Sequence, residues 1–341
     1  MKNINWSQLG FSYFKTDYNV RSEWKDGKWG EMYATDDVNV NIHMASTCLH
    51  YGQEVFEGMK AFRGADGKVR LFRVEENAKR MINSASYLKM QAPPVELFSR
   101  MCIEAVKLNA DYIPPYGTGA SLYLRPMLIG VGAQVGVKPA SEYLFVVFVT
   151  PVGPYFKEGF NCIKVTIDYD HDRAAPLGTG HVKVGGNYAA SLNAGEMAHE
   201  KGFANVIFLD PATKENIDEF SAANFFGIRD GKYVTPNSHS VLPSITNLSL
   251  RQIAEDLGLK VEQRTVPVTE LDKFSEVGAV GTAAVISPVG SIFNPKTGKT
   301  ITYGDGKTAG EWSTKLYKTL QGIQYGEIKD IHNWNTVIEN I

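Results

Sequence analysis

Residues 174–195 read AAPLGTGHVKVGGNYAASLNAG, with one full charge, Lys183, and no carboxylate. This run constrains the fold more than any other, because a lysine is normally solvated or paired and nothing nearby in the sequence pairs this one. Either the glycines carry Lys183 over the surface on a loop, or the chain packs the run inside. In an apolar setting an ammonium loses its hydration, its pKa falls and a neutral amine becomes available. A neutral amine is what Schiff-base chemistry with a carbonyl compound requires. Composition alone favours the surface loop. The next residues weigh the other way: Tyr188 follows after Gly185, Gly186 and Asn187, which let the backbone turn and bring phenol and amine to one place.

Around this run, strands and helices intermix. EVFEGMKAFRG and VRLFR are strand-like and flank the turn GADGK at 64–68. EENAKRMINSASYLKM has Ala78, Met81, Ile82 and Ala85 at helical spacing; Pro93 and Pro94 end it and open a second helix near 95–108. SLYLRPMLIG and EYLFVVFVT are expected strands. The second half starts with the strand CIKVTIDYD, then the lysine run, a helix near 188–201, the strand NVIFLD and the turn DPATKEN. SITNLSLRQIAEDLG is expected as a helix with Leu250, Ile253, Ala254 and Leu257 on one face and Gly258 as its stop. Strands near 261–266 and 278–287 and a helix near 310–324 complete the pattern. There is no regular βαβ rhythm and no G-x-G-x-x-G after a strand, so the expected class is α+β rather than a doubly wound sheet.

A chain of 341 residues suggests two domains. PVGPYFKEGF, with two prolines and two glycines, is placed between them. The expected division is a smaller N-terminal domain at 1–150, a linker at 151–160 and a larger, cofactor-binding C-terminal domain at 161–341. With 35 basic and 37 acidic residues there is no electrostatic footprint for nucleic acid. Cys48, Cys102 and Cys162 are far apart and odd in number, which fits a reduced, cytoplasmic chain without a disulfide framework or zinc site. The start MKNINWSQLGF has no apolar core of a secretory signal. Residues 277–293 are uncharged but fall short of the ~20 apolar residues of a spanning helix, and their glycines and Pro288 argue for buried strand and loop, so no membrane partner is expected. His181 has no second ligand at metal spacing beside it, so no metal is expected.

The ordered set HVKVGGNY, E-x-x-x-x-N-F at 219–225, YGQEVFEGMKAFRG at 51–64 and SLYLRPMLIG at 121–130 resembles the class IV, branched-chain type of pyridoxal-phosphate aminotransferases. The matches run from about Phe11 to beyond Pro288. The resemblance implies a fold-type IV enzyme of two α/β domains, pyridoxal 5′-phosphate as cofactor, and a homodimer with its active site near the subunit interface. The implied reaction is ping-pong transfer between leucine, isoleucine or valine and 2-oxoglutarate, giving branched 2-oxo acids and glutamate. A D-amino-acid aminotransferase or an aminodeoxychorismate-lyase-like enzyme is the alternative with the same fold; FEGMKAF and LYLRP favour the branched-chain type.

Residue by residue, the resemblance makes Lys183 the catalytic amine and Tyr188 the partner of the cofactor's phenolic oxygen. Glu219 holds the proton on the ring nitrogen. On an expected strand Asp218 and Glu219 point to opposite faces, so one enters the site while the other meets solvent. Arg80 matches the phosphate arginine, with Arg73 as competitor; Ile245 and Thr246 at a helix start, and Thr282, are the further phosphate contacts. Phe11, Tyr51, Phe56 and Tyr123 line the apolar pocket. Arg125, two residues from Tyr123 and so on the same strand face, meets the distal carboxylate of glutamate. Backbone groups at Ala222 and Ala283 hold the α-carboxylate. Some animal members carry C-x-x-C after the GTA triplet; here Ala284 and Ser287 stand in those positions, so thiol regulation there is not expected.

Overall fold

Strand pairing organises most of the chain. The computed structural model describes residues 2, 4–153 and 160–341. A first nine-stranded sheet contains β1 (Asn19–Lys25), β2 (Lys28–Trp29), β3 (Tyr33–Thr35), β4 (Glu54–Phe56), β5 (Met59–Arg63), β6 (Val69–Phe72), β7 (Ser121–Gly130), β8 (Tyr143–Val152) and, from the far end of the sequence, β18 (Asn335–Ile338). Its main path runs β18-β6-β5-β7-β8-β1-β2, and β4 adds to β7. β7 and β8 are rich in β-branched and aromatic residues and pair antiparallel from Ser121↔Val152 to Gly130↔Tyr143.

The same unit holds α1 (Thr47–Tyr51), α2 (Val74–Tyr87) and α3 (Val95–Leu108). Alternation along β7 sends Leu122, Leu124 and Leu128 into one core with Ala78, Met81 and Ala85 of α2 and Phe98, Met101, Cys102, Ala105 and Val106 of α3. Each large side chain buried there contributes about 1.5–3 kcal/mol. Ile82 does not join them: it is 37% exposed, because the buried stripe follows Val74, Ala78, Met81 and Ala85 and Ile82 lies one position beyond it. The opposite face of β7 presents Tyr123, Arg125 and Met127. Register places Lys60 opposite Tyr123 and Phe56 opposite Met127 on that same face.

The second nine-stranded sheet contains β9 (Ile163–Asp168), β10 (Asn205–Leu209), β11 (Ile217–Phe220), β12 (Asn224–Arg229), β13 (Lys232–Pro236), β14 (Lys260–Arg264), β15 (Glu276–Gly281), β16 (Val285–Asn294) and β17 (Lys299–Thr302). β11 pairs β10 on one side and β12 on the other (Glu219↔Asn224), closing β11-β10-β9-β16-β15-β12 into a circuit. α4 (Gly185–Glu200) packs Ala194 and Ala198 on Val206 and Phe208 of β10. α5 (Ile245–Asp256) begins where the Ser244 hydroxyl accepts the Asn247 N–H, an N-cap, and Gly258 follows at φ +91°. Leu257 is 39% exposed, because it lies past the last turn. The strand expected at 278–287 is in fact the junction of two: β15 ends at Gly281, residues 282–284 turn, and β16 begins at Val285. α6 spans Glu311–Tyr325.

Chain contacts divide the molecule into two units. The first takes the chain up to residue 155, then Val182–Gly185 and Gly322–Ile341; the second takes the intervening stretch to His181 and Gly186–Gln321. The sequence-based division assigns all of 161–341 to the second half. Hydrogen bonding decides otherwise for the two short pieces: Lys183 bonds to Phe56 and Ser84, and β18 pairs β6. Of the expected linker, Pro151 and Val152 finish β8, while 154–159 lie outside the described residues. Among the described residues, no helix is long and apolar enough to cross a membrane.

Candidate active site

In the first unit, Lys183 is half-buried and its backbone is fixed on two sides. Its N–H donates to Ser84 Oγ of α2 at 2.9 Å, and its carbonyl accepts the Phe56 N–H at 3.2 Å. Its Nζ lies 4.6 Å from the centroid of the Phe56 ring. The same ring carries the Arg125 guanidinium at 4.9 Å, so two cations share one aromatic platform. Arg125 Nη2 donates to the Tyr123 hydroxyl at 3.1 Å, and Phe11 meets the Tyr123 ring edge-on at 5.0 Å. Arg125 Nε is buried without a hydrogen-bond partner among the described residues, a donor suited to an anion. Lys183, Phe56, Tyr123, Arg125 and Phe11 thus form one contact chain. Tyr51 is 42% exposed and its hydroxyl donates to the Val135 carbonyl.

The residue after Phe56, Glu57, is fully buried. Its carboxylate accepts Arg80 Nε at 2.8 Å, Arg80 Nη2 at 2.7 Å and Asn77 Nδ2 at 2.8 Å. This two-nitrogen grip orients the Arg80 guanidinium. Gly58 follows, and a β-carbon there would collide with the Tyr123 hydroxyl. Arg73, the competing phosphate arginine, instead precedes α2 at φ 51° with its guanidinium 4.9 Å over the Trp334 ring. Lys60 has its ammonium enclosed, and burial pushes its pKa down to about 8.

In the second unit, Glu219 on β11 is buried. Its Oε1 lies 2.5 Å from Arg173 Nη2 and accepts the Leu242 N–H at 3.1 Å; its Oε2 accepts Asn224 Nδ2 at 2.9 Å. Burial pushes its carboxyl above the ordinary range, against the pull of Arg173 and the Leu242 N–H. Asp218 does not meet solvent as expected: it is 5% exposed and accepts the Ser240 hydroxyl at 2.5 Å. The reason is the segment after β13, whose Ser240, itself 4% exposed, covers and bonds the Asp218 carboxylate.

Asn224 links this carboxylate to α5, since its Nδ2 also donates to the Leu242 carbonyl and its Oδ1 accepts from Asn247 Nδ2. Ile245 and Thr246 open α5, where backbone N–H groups have no intrahelical acceptor and attract anions. Thr282 and Ala283 sit in the turn between β15 and β16, and Ala222 in the turn between β11 and β12. Tyr188 lies in the first turn of α4, half-buried, with its carbonyl accepting the Ser191 hydroxyl.

The residues therefore fall into two sets. Lys183, Arg80, Phe11, Tyr51, Phe56, Tyr123 and Arg125 belong to the first unit, and Tyr188, Glu219, Ala222, Ile245, Thr246, Thr282 and Ala283 to the second. The first unit supplies an amine and an oriented guanidinium, and the second a helix start and a buried carboxylate, each of a kind that a phosphorylated aldehyde with a basic ring nitrogen would engage. Glu54, Glu57, Ser84, Arg173 and Asn224 carry contacts to these residues that the sequence reading leaves unassigned. For Glu57 the available signal was an acid lodged inside the apolar run VFEGM.

The amino-transferase class IV family matches residues 54–292. The chain is 51% identical to the branched-chain-amino-acid aminotransferase of Haemophilus influenzae, over 99% of this chain and 100% of that protein. The crystal structure of the Escherichia coli branched-chain amino acid aminotransferase superposes with a TM-score of 0.79 at 27% identity, covering 95% of this chain and all of that one. A branched-chain amino acid aminotransferase from T.th., crystallised with pyridoxamine 5′-phosphate, superposes with a TM-score of 0.76 at 26% identity, covering 93% of this chain and 98% of that one.

Proposed function

This chain belongs to the amino-transferase class IV family, and from that premise we infer that it is a pyridoxal-phosphate-dependent transaminase of branched-chain amino acids. It moves the amino group of leucine, isoleucine or valine to 2-oxoglutarate, and back, in two half-reactions. What carries the reading is the Lys183 amine on the Phe56 platform, in a chain half identical along its whole length to a branched-chain aminotransferase.

Pyridoxal 5′-phosphate, when bound, supplies the carbonyl that captures amino groups and a ring that takes up the electrons of the substrate Cα. Lys183 Nζ is the amine that captures the cofactor and the base that takes the Cα proton and returns it. Arg80, oriented by Glu57, and the start of α5 at Ile245 and Thr246 hold the phosphate, with Thr282 as a further contact. Glu219 holds the ring-nitrogen proton, and Arg173 beside it favours the ionised carboxylate. The Tyr188 hydroxyl bonds the phenolic oxygen.

Phe11, Tyr51, Phe56 and Tyr123 form the apolar wall for a branched side chain. Arg125 receives the distal carboxylate of glutamate, for which its buried Nε is available. Backbone groups at Ala222 and Ala283 receive the α-carboxylate. A homodimer is proposed on the resemblance, and a cytoplasmic location on the three unpaired thiols; gel filtration and fractionation test them.

The deciding measurement is a visible spectrum of purified protein with pyridoxal 5′-phosphate, before and after L-leucine. A band of lysine-bound cofactor that leucine converts to the amine form is the expected result. Lys183→Ala should remove the band and at least about 10³-fold of turnover while leaving the melting temperature close to that of the parent. A band indifferent to leucine, or substantial turnover in Lys183→Ala, would contradict the reading.

A further inference from the structure

We infer that Glu54 is a positioning residue for Lys183: its carboxylate holds the start of α4 two residues beyond the lysine and sets where the ε-amino group rests on Phe56. The inference depends on Lys183 being the reacting amine.

β4 has two edges. One pairs with β7, from Glu54↔Ile129 to Phe56↔Met127. Along the other runs the lysine segment, whose Lys183 carbonyl accepts the Phe56 N–H. Two residues further on, at the first residue of α4, the Gly185 N–H, one of the donors that a helix start leaves without an intrahelical acceptor, donates to Glu54 Oε1. With Ser84 holding the Lys183 N–H from α2, residues 183 and 185 are fixed at three points. Glu54 and Phe56 are alternate residues of one short strand, so the carboxylate and the aromatic platform are held at a set offset. Moving one tie moves Nζ relative to the ring.

Two further observations fit. A β-carbon on Gly185 would collide with Glu54 Oε1, so a side chain there would push the carboxylate out of the tie. Glu54 is largely enclosed, and burial raises its carboxyl above the ordinary range while the Gly185 N–H and Arg125 hold it down. The charged or titratable groups acting on it are Arg125 from β7 and the Cys48 thiol from α1. An ionised carboxylate makes a stronger bond to an N–H than a neutral acceptor does, so the tie weakens as Glu54 takes up a proton.

The test uses the full-length protein with Glu54→Ala, Glu54→Gln, Gly185→Ala and the Glu54→Ala/Gly185→Ala pair. Hydrogen exchange is read on peptides covering residues 182–188 of the cofactor-free protein, and the rate of covalent capture of pyridoxal 5′-phosphate is followed by absorbance against pH. Glu54→Ala should speed exchange at Gly185 and slow capture, each about tenfold. Glu54→Gln, which keeps an acceptor oxygen, should stay within about threefold of the parent and lose the pH inflection that Glu54 protonation gives. Gly185→Ala should reproduce the Glu54→Ala behaviour, yet add little in its presence, because the colliding oxygen is gone.

Parent-like exchange or capture in Glu54→Ala, or a Gln variant no better than Ala, overturns the inference. If the parent itself fails to capture the cofactor at Lys183, the reading of that lysine falls, and the exchange arm still decides whether Glu54 holds Gly185.

Discussion

Glu57 has its whole carboxylate inside the protein, and Arg80 and Asn77 satisfy it. A buried pair of this kind is costly to break and not costly to replace. Glu57→Leu should destabilise the fold by about 3–5 kcal/mol, because it strands the Arg80 guanidinium. Glu57→Leu combined with Arg80→Met should recover much of that stability but not the affinity for pyridoxal 5′-phosphate. Urea unfolding and cofactor titration separate the two, and a double variant that binds cofactor normally would remove Arg80 from the phosphate site.

Lys60 is a partly buried cation whose pKa is pushed down to about 8 from 10.5 by burial of its ammonium. Between those values the unfolded chain binds more protons than the folded one, so this residue's share of stability rises with pH and its cost is fully present below about pH 8. Lys60→Met should therefore gain up to about 3 kcal/mol at pH 7 and flatten the rise between about pH 8 and 10. Urea melts at pH 7, 9 and 10 check both parts.

At the scale of elements, α2 serves two purposes with two neighbouring stripes. Ala78, Met81 and Ala85 enter the core, while Asn77, Arg80 and Ser84 present hydrogen-bonding groups to Glu57 and Lys183. Met81→Ala should cost about 2–5 kcal/mol through the cavity it leaves. Ile82→Ala should stay within about 1 kcal/mol, since that side chain is more than a third exposed; matched denaturant melts give the comparison. Sequence spacing located α2 and α3 well, because helical periodicity survives in a single chain. It did not separate Ile82 from the buried stripe, as all four apolar residues fit one 3.6-residue face and only the packing of the sheet decides which are covered. The turn at 282–284 was equally invisible: GTAAVIS has no charge or proline to punctuate it, and the two strands read as one run. The residues quoted in motifs were legible. Their supports were not, since Ser84, Glu54 and Arg173 reach their partners across long sequence separations that periodicity does not report.

At the scale of the whole molecule, connectivity and structure part company. The chain enters the first unit for four residues at Val182–Gly185, and returns to it again at Gly322–Ile341. The composition break at 151–160 suggests one linker, and no local signal marks a four-residue return. β18 pairs antiparallel with β6 from Asn335↔Phe72 to Ile338↔Val69, and Trp334 meets Phe72 edge-on at 5.7 Å. Deleting residues 335–341 should leave β6 as an open apolar edge and lower the first unit's melting temperature by several degrees, with light scattering rising on heating. Scattering and melting unchanged from the parent would show that β18 is dispensable.

That pairing also has a consequence for synthesis. A ribosome makes β6 early and β18 only after the entire second unit has emerged, so the first half of the nascent chain waits, one edge unpaired, through about 260 residues of elongation. At ordinary elongation rates this lasts about 15–50 s, long enough for chaperones to engage the waiting edge. The half that is translated first is the last to be finished.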